Sequence, residues 1–230
     1  MEQRQHIVKS YTRELEELRR NLVLMAGRVE DMIGAAVRAV VEEDIDLARR
    51  VIAEDKLVNR AELDIDARCL QLLARWQPMA SDLRVITLTL KMVTDLERIG
   101  DLAVNISNRA LDMATQPSAP ISPKISRMGR AVRAMVHSSI EAFVLRDPDL
   151  ARQVIAKDDE VDELYHTLFR QQLRLMNQNA TLVERGILLQ SVAKYLERIG
   201  DHSTNLAEQV IHMVHGRDVR HPRSRRPEPV

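Results

Sequence analysis

Glu97 and Asp101 stand four residues apart with Asn105 four further on, and the same three residue types recur at Glu197, Asp201 and Asn205. At ~100° per residue, an i, i+4, i+8 set falls within ~80° on one side of an α-helix. The surrounding letters match as well: Leu96-Glu97-Arg98-Ile99-Gly100-Asp101 returns as Leu196-Glu197-Arg198-Ile199-Gly200-Asp201. Packing tolerates apolar exchange and leaves an exposed stripe free to drift. Retention of Glu, Asp and Asn in both copies therefore points to a cation or a partner. Further acids precede each block. Asp55, Asn59, Glu62 and Asp66 follow i, i+4, i+7, i+11 and share one helical face, while Asp158 and Asp162 precede Glu197, Asp201, Asn205 and Glu208. An antiparallel hairpin lets each pair of stripes meet. Oxygen-only clusters of this kind suit magnesium, manganese, iron or zinc, because carboxylates brought together repel unless a cation neutralises them. A single E-x-x-x-D carries little weight in a chain that is 30% charged; its duplication beside a duplicated acidic helix is what counts.

The elements that must position these residues follow from periodicity. Tyr11, Leu15, Leu18, Leu22, Met25, Val29, Met32 and Ala36 alternate by four and three, predicting a helix over about 8–42. Asp44 and Asp46 suit the cap of a second helix reaching Trp76 before Pro78, and Ser81-Asp82 that of a third ending near Met113. Residues 1–115 thus read as an up-down-up three-helix bundle. Residues 116–123, with three prolines and two serines, read as a linker. The pattern then restarts: Ile125, Met128, Val132 and Met135 sit 103 positions after Leu22, Met25, Val29 and Met32, and a three-residue shortening turns that offset into 100. Helices over about 124–146, 149–177 and 182–215 make a second three-helix bundle over 124–215. The prolines and arginines of 216–230 predict a disordered basic tail. The fold class is all-α, two tandem duplicated bundles joined by a proline-rich linker that predicts separate folding.

On the third helix Val85, Leu88, Met92, Leu96, Ile99, Ala103, Ile106 and Ala110 form the core stripe. Glu97 and Asp101 instead interrupt a lesser apolar stripe of Ile86, Leu90, Val93, Val104 and Leu111. That places the acids at the edge between packed and solvated surface, and predicts partial exposure of Ile86, Leu90 and Val93 as a partner contact.

Composition narrows the function classes. Scarce glycine and aromatics, with 45% apolar residues, fit helices. Net charge is zero, so no global field draws the chain to nucleic acid or an anionic membrane. Cys69 stands alone and has no disulfide partner, the opening residues Met1 to His6 lack the apolar run of a signal peptide, and no stretch suits membrane insertion. The expected compartment is the cytoplasm.

The duplicated Leu-Glu-Arg-Ile-Gly-Asp block, the acidic D-x-x-x-N and D-x-x-x-D before it, and the turn Gln77-Pro78-Met79-Ala80-Ser81-Asp82-Leu83-Arg84 together resemble the PhoU family over nearly the whole chain. The resemblance implies a pair of three-helix bundles whose E(D)-x-x-x-D motifs hold metal ions or clusters. It maps ligands onto Asp55, Glu97, Asp101, Asp158, Asp162, Glu197 and Asp201, with Asn105 and Asn205 beside them. It implies negative regulation of phosphate uptake and of the phosphate-starvation response, with the phosphate ABC transporter ATPase subunit and a sensor histidine kinase as partners and a homodimer as assembly. One departure stands out. Asn59 occupies a carboxylate position of the motif, so the first site is expected to bind metal more weakly unless Glu62 and Asp66 compensate; Tyr165 and Phe169 take their places in the second half.

Other features carry less. Glu163-Leu164-Tyr165-His166 has di-iron spacing, but a di-iron bundle needs two such motifs. His202 projects ~100° from Asp201 and reads as a surface or interface residue. Cys69 and the ten methionines read as packing. Gly-rich phosphate loops and G-x-S-x-G are missing. Two rivals to a regulatory adaptor stand: a metal-dependent hydrolase of phosphoryl compounds, for which no general base or cleft is identified, and a purely structural dimerisation module.

Overall fold

The computed structural model describes residues 2–117 and 119–215, with side chains from residue 9 onward. The segment 216–230, read above as a basic tail, lies outside the described residues. Six long helices make up the structure: α1 (Glu2–Glu42), α2 (Ile45–Trp76), α3 (Ala80–Met113), α4 (Pro123–Leu145), α5 (Pro148–Gln178) and α6 (Val183–His215), with one 3₁₀ turn over Ala180–Leu182 ahead of α6. The described residues contain no strand.

The boundaries have local causes. Asp44 accepts from Leu47 N at 2.8 Å and Asp147 from Asp149 N at 2.8 Å, each satisfying a backbone donor that the first helical turn leaves unpaired. Ser122 and Pro123 begin α4 at the end of the linker. Two expectations need correction. The first helix begins at Glu2 rather than near residue 8, and Ser81-Asp82 does not cap α3, whose N-cap is Met79 without a side-chain bond. Asp82 is engaged elsewhere, accepting from the Tyr11 hydroxyl at 3.0 Å and so tying the α2–α3 turn to α1.

Each repeat packs as an up-down-up bundle of three helices, α1 to α3 and α4 to α6. The core stripe of α3 is buried throughout, from Val85 to Ala110. The lesser stripe is not a free surface: Ile86 and Val93 are fully buried, and only Leu90, Val104 and Leu111 stay partly exposed. They share a side of α3 with Glu97 and Asp101, where α2 covers it. This removes Ile86 and Val93 as a partner contact.

Between the repeats, each contact among the described residues pairs a helix with its own counterpart: α3 packs on α6 and α1 on α4, while α2 and α5 stay apart on the outside. An approximate twofold therefore relates the halves, and buried residues of all six helices join in one apolar cluster. Gly129 permits the α1–α4 approach, since a Cβ there would lie 2.7 Å from Val37 Cγ2. Polar contacts also bridge the halves: on α1 and α4, Arg133 lies 3.3 Å from Asp31 and His137 3.2 Å from Glu30, and two further groupings involve α6. Asp95 of α3 accepts from Gln209 Nε2 at 2.7 Å and lies 3.0 Å from His202 Nδ1, both on α6, which makes His202 an interface residue. Arg185 of α6 is buried where its counterpart Val85 is apolar; it pairs with Glu43 and donates to the Met113 and Ala119 carbonyls at 3.3 Å, fastening the linker to the end of α3.

Candidate functional site

The α2–α3 hairpin brings the first acidic set together. Asp55 and Glu62 from α2 face Glu97 and Asp101 from α3 across the edge of the core, because the carboxylates flank the buried stripe on both helices, and Asp66 lies beside Glu62 farther along α2. Their titration reports the crowding. Burial, then Asp101, raises Asp55; burial, then Asp66 and Asp101, raises Glu62; burial alone raises Asp66. Glu97 is raised by burial and by Asp101, Glu62 and Asp55, against a lowering from Arg98. Arg98 stands on the exposed side, 3.6 Å from Glu97 and 3.5 Å from Asp101.

Asn59 belongs to the cluster in a different way. Its amide donates to Asp55 Oδ2 at 2.9 Å, leaving Asp55 Oδ1, Asn59 Oδ1 and Asp66 Oδ1 buried with no hydrogen-bond partner. Buried acceptors without a donor cost about 1–3 kcal/mol each, which a cation or a donor from outside would relieve.

The α5–α6 hairpin forms the second set from Asp158, Asp162, Glu197 and Asp201. Asp158 is pushed up to about 6 by burial and then by Asp162, Asp201, Glu197 and Asp159. Asp201 is raised by burial and Glu197, with Lys194 and His202 opposing. Gly200 accounts for the closeness. A Cβ there would lie 2.9 Å from Asp158 Oδ1, whereas at Gly100 it would meet only Val58 Cγ1, at 3.3 Å. The motif glycine thus lets the two helices approach in both repeats, and in the second it makes room for a carboxylate.

Lys194 is a functional neighbour that spacing did not reveal. Its Nζ sits 2.7 Å from Glu197 Oε1 and 5.4 Å from the Tyr165 ring centroid, placing an internal cation against the second cluster. The signal was the i, i+3 relation to Glu197 with threonine, Thr94, in the first repeat. Asn105 and Asn205 are exposed beyond Asp101 and Asp201, and Glu208 is half-buried a turn past Asn205. With Glu62 included, the first cluster holds Asp55, Glu62, Glu97 and Asp101 beside Asn59, and Asp66 adjoins it through Glu62.

Chemically, two clefts of crowded carboxylates, the first with oxygens left without a donor, fit a hard or borderline cation. Among the described residues, no group of three or more His, Cys, Asp or Glu side chains is already arranged to hold one. Rotation of side chains about the hairpin edges would have to close a coordination shell.

The comparisons with known proteins agree with this duplicated architecture. The PhoU domain matches twice, over residues 22–110 and 125–210. A Pseudomonas putida protein named phosphate-specific transport system accessory protein PhoU homolog is 40% identical over 217 residues, covering 94% of this chain and 85% of that protein. The phosphate-specific transport system accessory protein PhoU of Escherichia coli strain K12 is 36% identical over 216 residues, covering 94% of this chain and 90% of its own. Among solved structures, PhoU from Pseudomonas aeruginosa superimposes with a TM-score of 0.86 at 38% identity, over 90% of this chain and 100% of that one. The phosphate transport system regulatory protein PhoU from Streptococcus pneumoniae gives 0.84 at 25% identity, over 91% and 99%. Both repeats, their order and nearly the full length are shared, and the chain belongs to the PhoU domain family.

Proposed function

We propose that the chain is a regulatory adaptor of phosphate transport that acts by protein contact rather than catalysis. In this reading it meets the ATPase subunit of a phosphate ABC transporter and a sensor histidine kinase, and restrains phosphate uptake and the phosphate-starvation response. The observation that carries it is the match over both repeats to relatives named as transport-system accessory proteins. Those relatives are named for an accessory role, not an enzymatic one. No helix among the described residues is long and apolar enough to cross a membrane, which suits a cytoplasmic protein working beside a membrane transporter, as a homodimer.

The acidic clefts are the second part of the proposal. Asp55, Asn59, Glu62, Asp66, Glu97 and Asp101 would hold one divalent or trivalent cation site; Asp158, Asp162, Glu197 and Asp201 would hold the other, with Asn105, Asn205 and Glu208 on the flanks. A bound cation supplies charge neutralisation. The chain's own groups do the rest: Gly100 and Gly200 set the helix separation, Asn59 orients Asp55, and Lys194 partly neutralises Glu197 of the second cluster.

The test is metal content per chain after growth with iron, zinc or manganese, beside repression of phosphate-responsive genes in cells. Glu197→Gln with Asp201→Asn is expected to keep normal helicity, lose metal from the second cleft and weaken repression. Intact repression by a folded, metal-depleted variant would separate regulation from the clefts. Turnover of phosphate esters or polyphosphate by the parent, abolished by Glu197→Gln, would overturn the adaptor reading.

A further inference from the structure

The repeats are controls for one another, and they differ on the side of α2 turned away from the acidic cluster. At ~100° per residue, Leu57, Arg60 and Asp64 lie opposite Asp55, Asn59 and Glu62. There α1 and α2 leave an open cleft of about 380 Å³, floored by the buried Met25 and Ile65. Leu24 and Leu57 stand over it, 60% and 45% exposed.

The equivalent positions, 103 further on, are Arg127 and Glu160. These form an ion pair, Nη2 to Oε1 at 2.6 Å and Nε to Oε1 at 3.1 Å, that bridges α4 to α5. One repeat closes this seam with charge; the other offers two leucines to water. The rim differs in the same sense. Arg28 and Arg60 are exposed and make no ion pair among the described residues, where the second repeat has Ala131 and Glu163. Arg68 adds a third cation, shared with Glu17 at 3.0 Å, and Asp64 is the one acid lining the cleft. Exposed apolar side chains beside a rim on which Arg28, Arg60 and Arg68 outnumber Asp64 and Glu17 are costly to keep bare and complementary to one kind of ligand.

We propose that the α1–α2 cleft of the first repeat is a docking site for an acidic amphipathic helix of a partner protein. The apolar ridge of that helix lies between Leu24 and Leu57, and carboxylates beside the ridge pair with Arg28 and Arg60. A groove between two helices accepts the ridge of a third, and the net positive rim selects acidic flanks. The proposal deepens the adaptor reading by giving it a contact surface, yet it depends on neither cleft metal nor a particular transporter.

The probe is a fluorescent synthetic helix of about 18 residues, long enough for several turns, with leucines along one face and glutamates beside them. Its binding to the full-length chain is followed by anisotropy. Leu24→Arg with Leu57→Glu installs the ion pair that the second repeat already carries, so helicity should be retained. Affinity should fall about tenfold or more in that variant, fall with added salt, and vanish when the peptide glutamates are replaced by lysines. Arg28→Ala with Arg60→Glu leaves both leucines in place and should lose binding as well. The proposal is overturned if the glutamate peptide fails to bind the parent at millimolar concentration, or binds both variants as tightly as the parent. Loss of phosphatidylglycerol-vesicle co-sedimentation instead would assign the face to a lipid surface, and loss of dimer mass to a second copy; either outcome also overturns it. Failure of the metal and repression tests leaves this measurement unaffected.

Discussion

Asp158→Asn should make the metal-free protein more stable at neutral pH, although it deletes a charged group from the site. Burial and four neighbouring carboxylates raise Asp158 from 3.8 to about 6. The folded chain therefore keeps this proton until about pH 6, while the unfolded chain releases it near pH 4. Between those values the folded state binds more protons, so stability falls as pH rises; below about pH 4 the penalty is absent, and above pH 6 it is fully present. About two pH units at 1.36 kcal/mol each set a ceiling near 3 kcal/mol. The side chain is partly solvated, and screening brings the expected gain to about 1–2 kcal/mol. For a chain of this length that is about 2–8 °C in melting temperature. Thermal unfolding followed by circular dichroism, in chelator, at neutral pH and near pH 4, reads it directly. The variant should melt higher at neutral pH and with the parent at pH 4. Added manganese or zinc should reverse the order, since a ligand that binds only the folded parent stabilises only the parent. Equal melting in chelator at neutral pH, or the same gain at both pH values, would refute the electrostatic account of the cleft.

Gly200→Ala should cost about 1–3 kcal/mol, because its methyl meets the Asp158 carboxylate at 2.9 Å, while Gly100→Ala, opposed only by a valine methyl at 3.3 Å, should be close to neutral; a pair of melting curves separates them. Arg185→Ala should cost about 1–3 kcal/mol by removing the ion pair to Glu43 and the donor to the Ala119 carbonyl, and Arg185→Met distinctly less, as measured by denaturant midpoints. A chain ended at Pro117 should remain helical but self-associate and melt lower than the full chain. It uncovers Leu88 and Leu102, which share a face of α3 with the α6-bound Asp95; a monomer as stable as the parent would show that the linker separates two self-sufficient cores.

Periodicity located every long helix because apolar spacing and Asp or Ser caps are local properties of the chain. Asp44 could be read in this way. Ser81-Asp82 could not, since Asp82 is claimed by Tyr11, seventy-one residues away. The acidic clefts were legible for the same reason as the helices: i, i+4 spacing on two adjacent helices of a hairpin fixes which residues meet. What spacing does not carry is the third dimension between repeats. The burial of Ile86 and Val93, the Asp95 interface and the reach of Arg185 to Glu43 depend on which helices pack side by side. Asn59 shows the limit at single-residue scale. Its loss of charge and the nearness of Glu62 and Asp66 are visible in the letters, but its hydrogen bond to Asp55 appears only in the folded hairpin.

Asp95 bears on the history of the fused chain. Across the twofold its partners are His202 and Gln209, whereas the positions that the repeat offset makes reciprocal hold Tyr195, Leu102 and Arg109. Two copies of the first half joined in this arrangement would set a carboxylate against leucine and arginine; two copies of the second would set a phenol against imidazole and amide. Neither self-pairing rebuilds the native contact. At this contact the halves act as complements, each supplying groups that the other lacks. A repeat whose place in the assembly is unique is free to diverge on its outer face, which is how one copy can seal the seam beside its second helix while the other leaves it open.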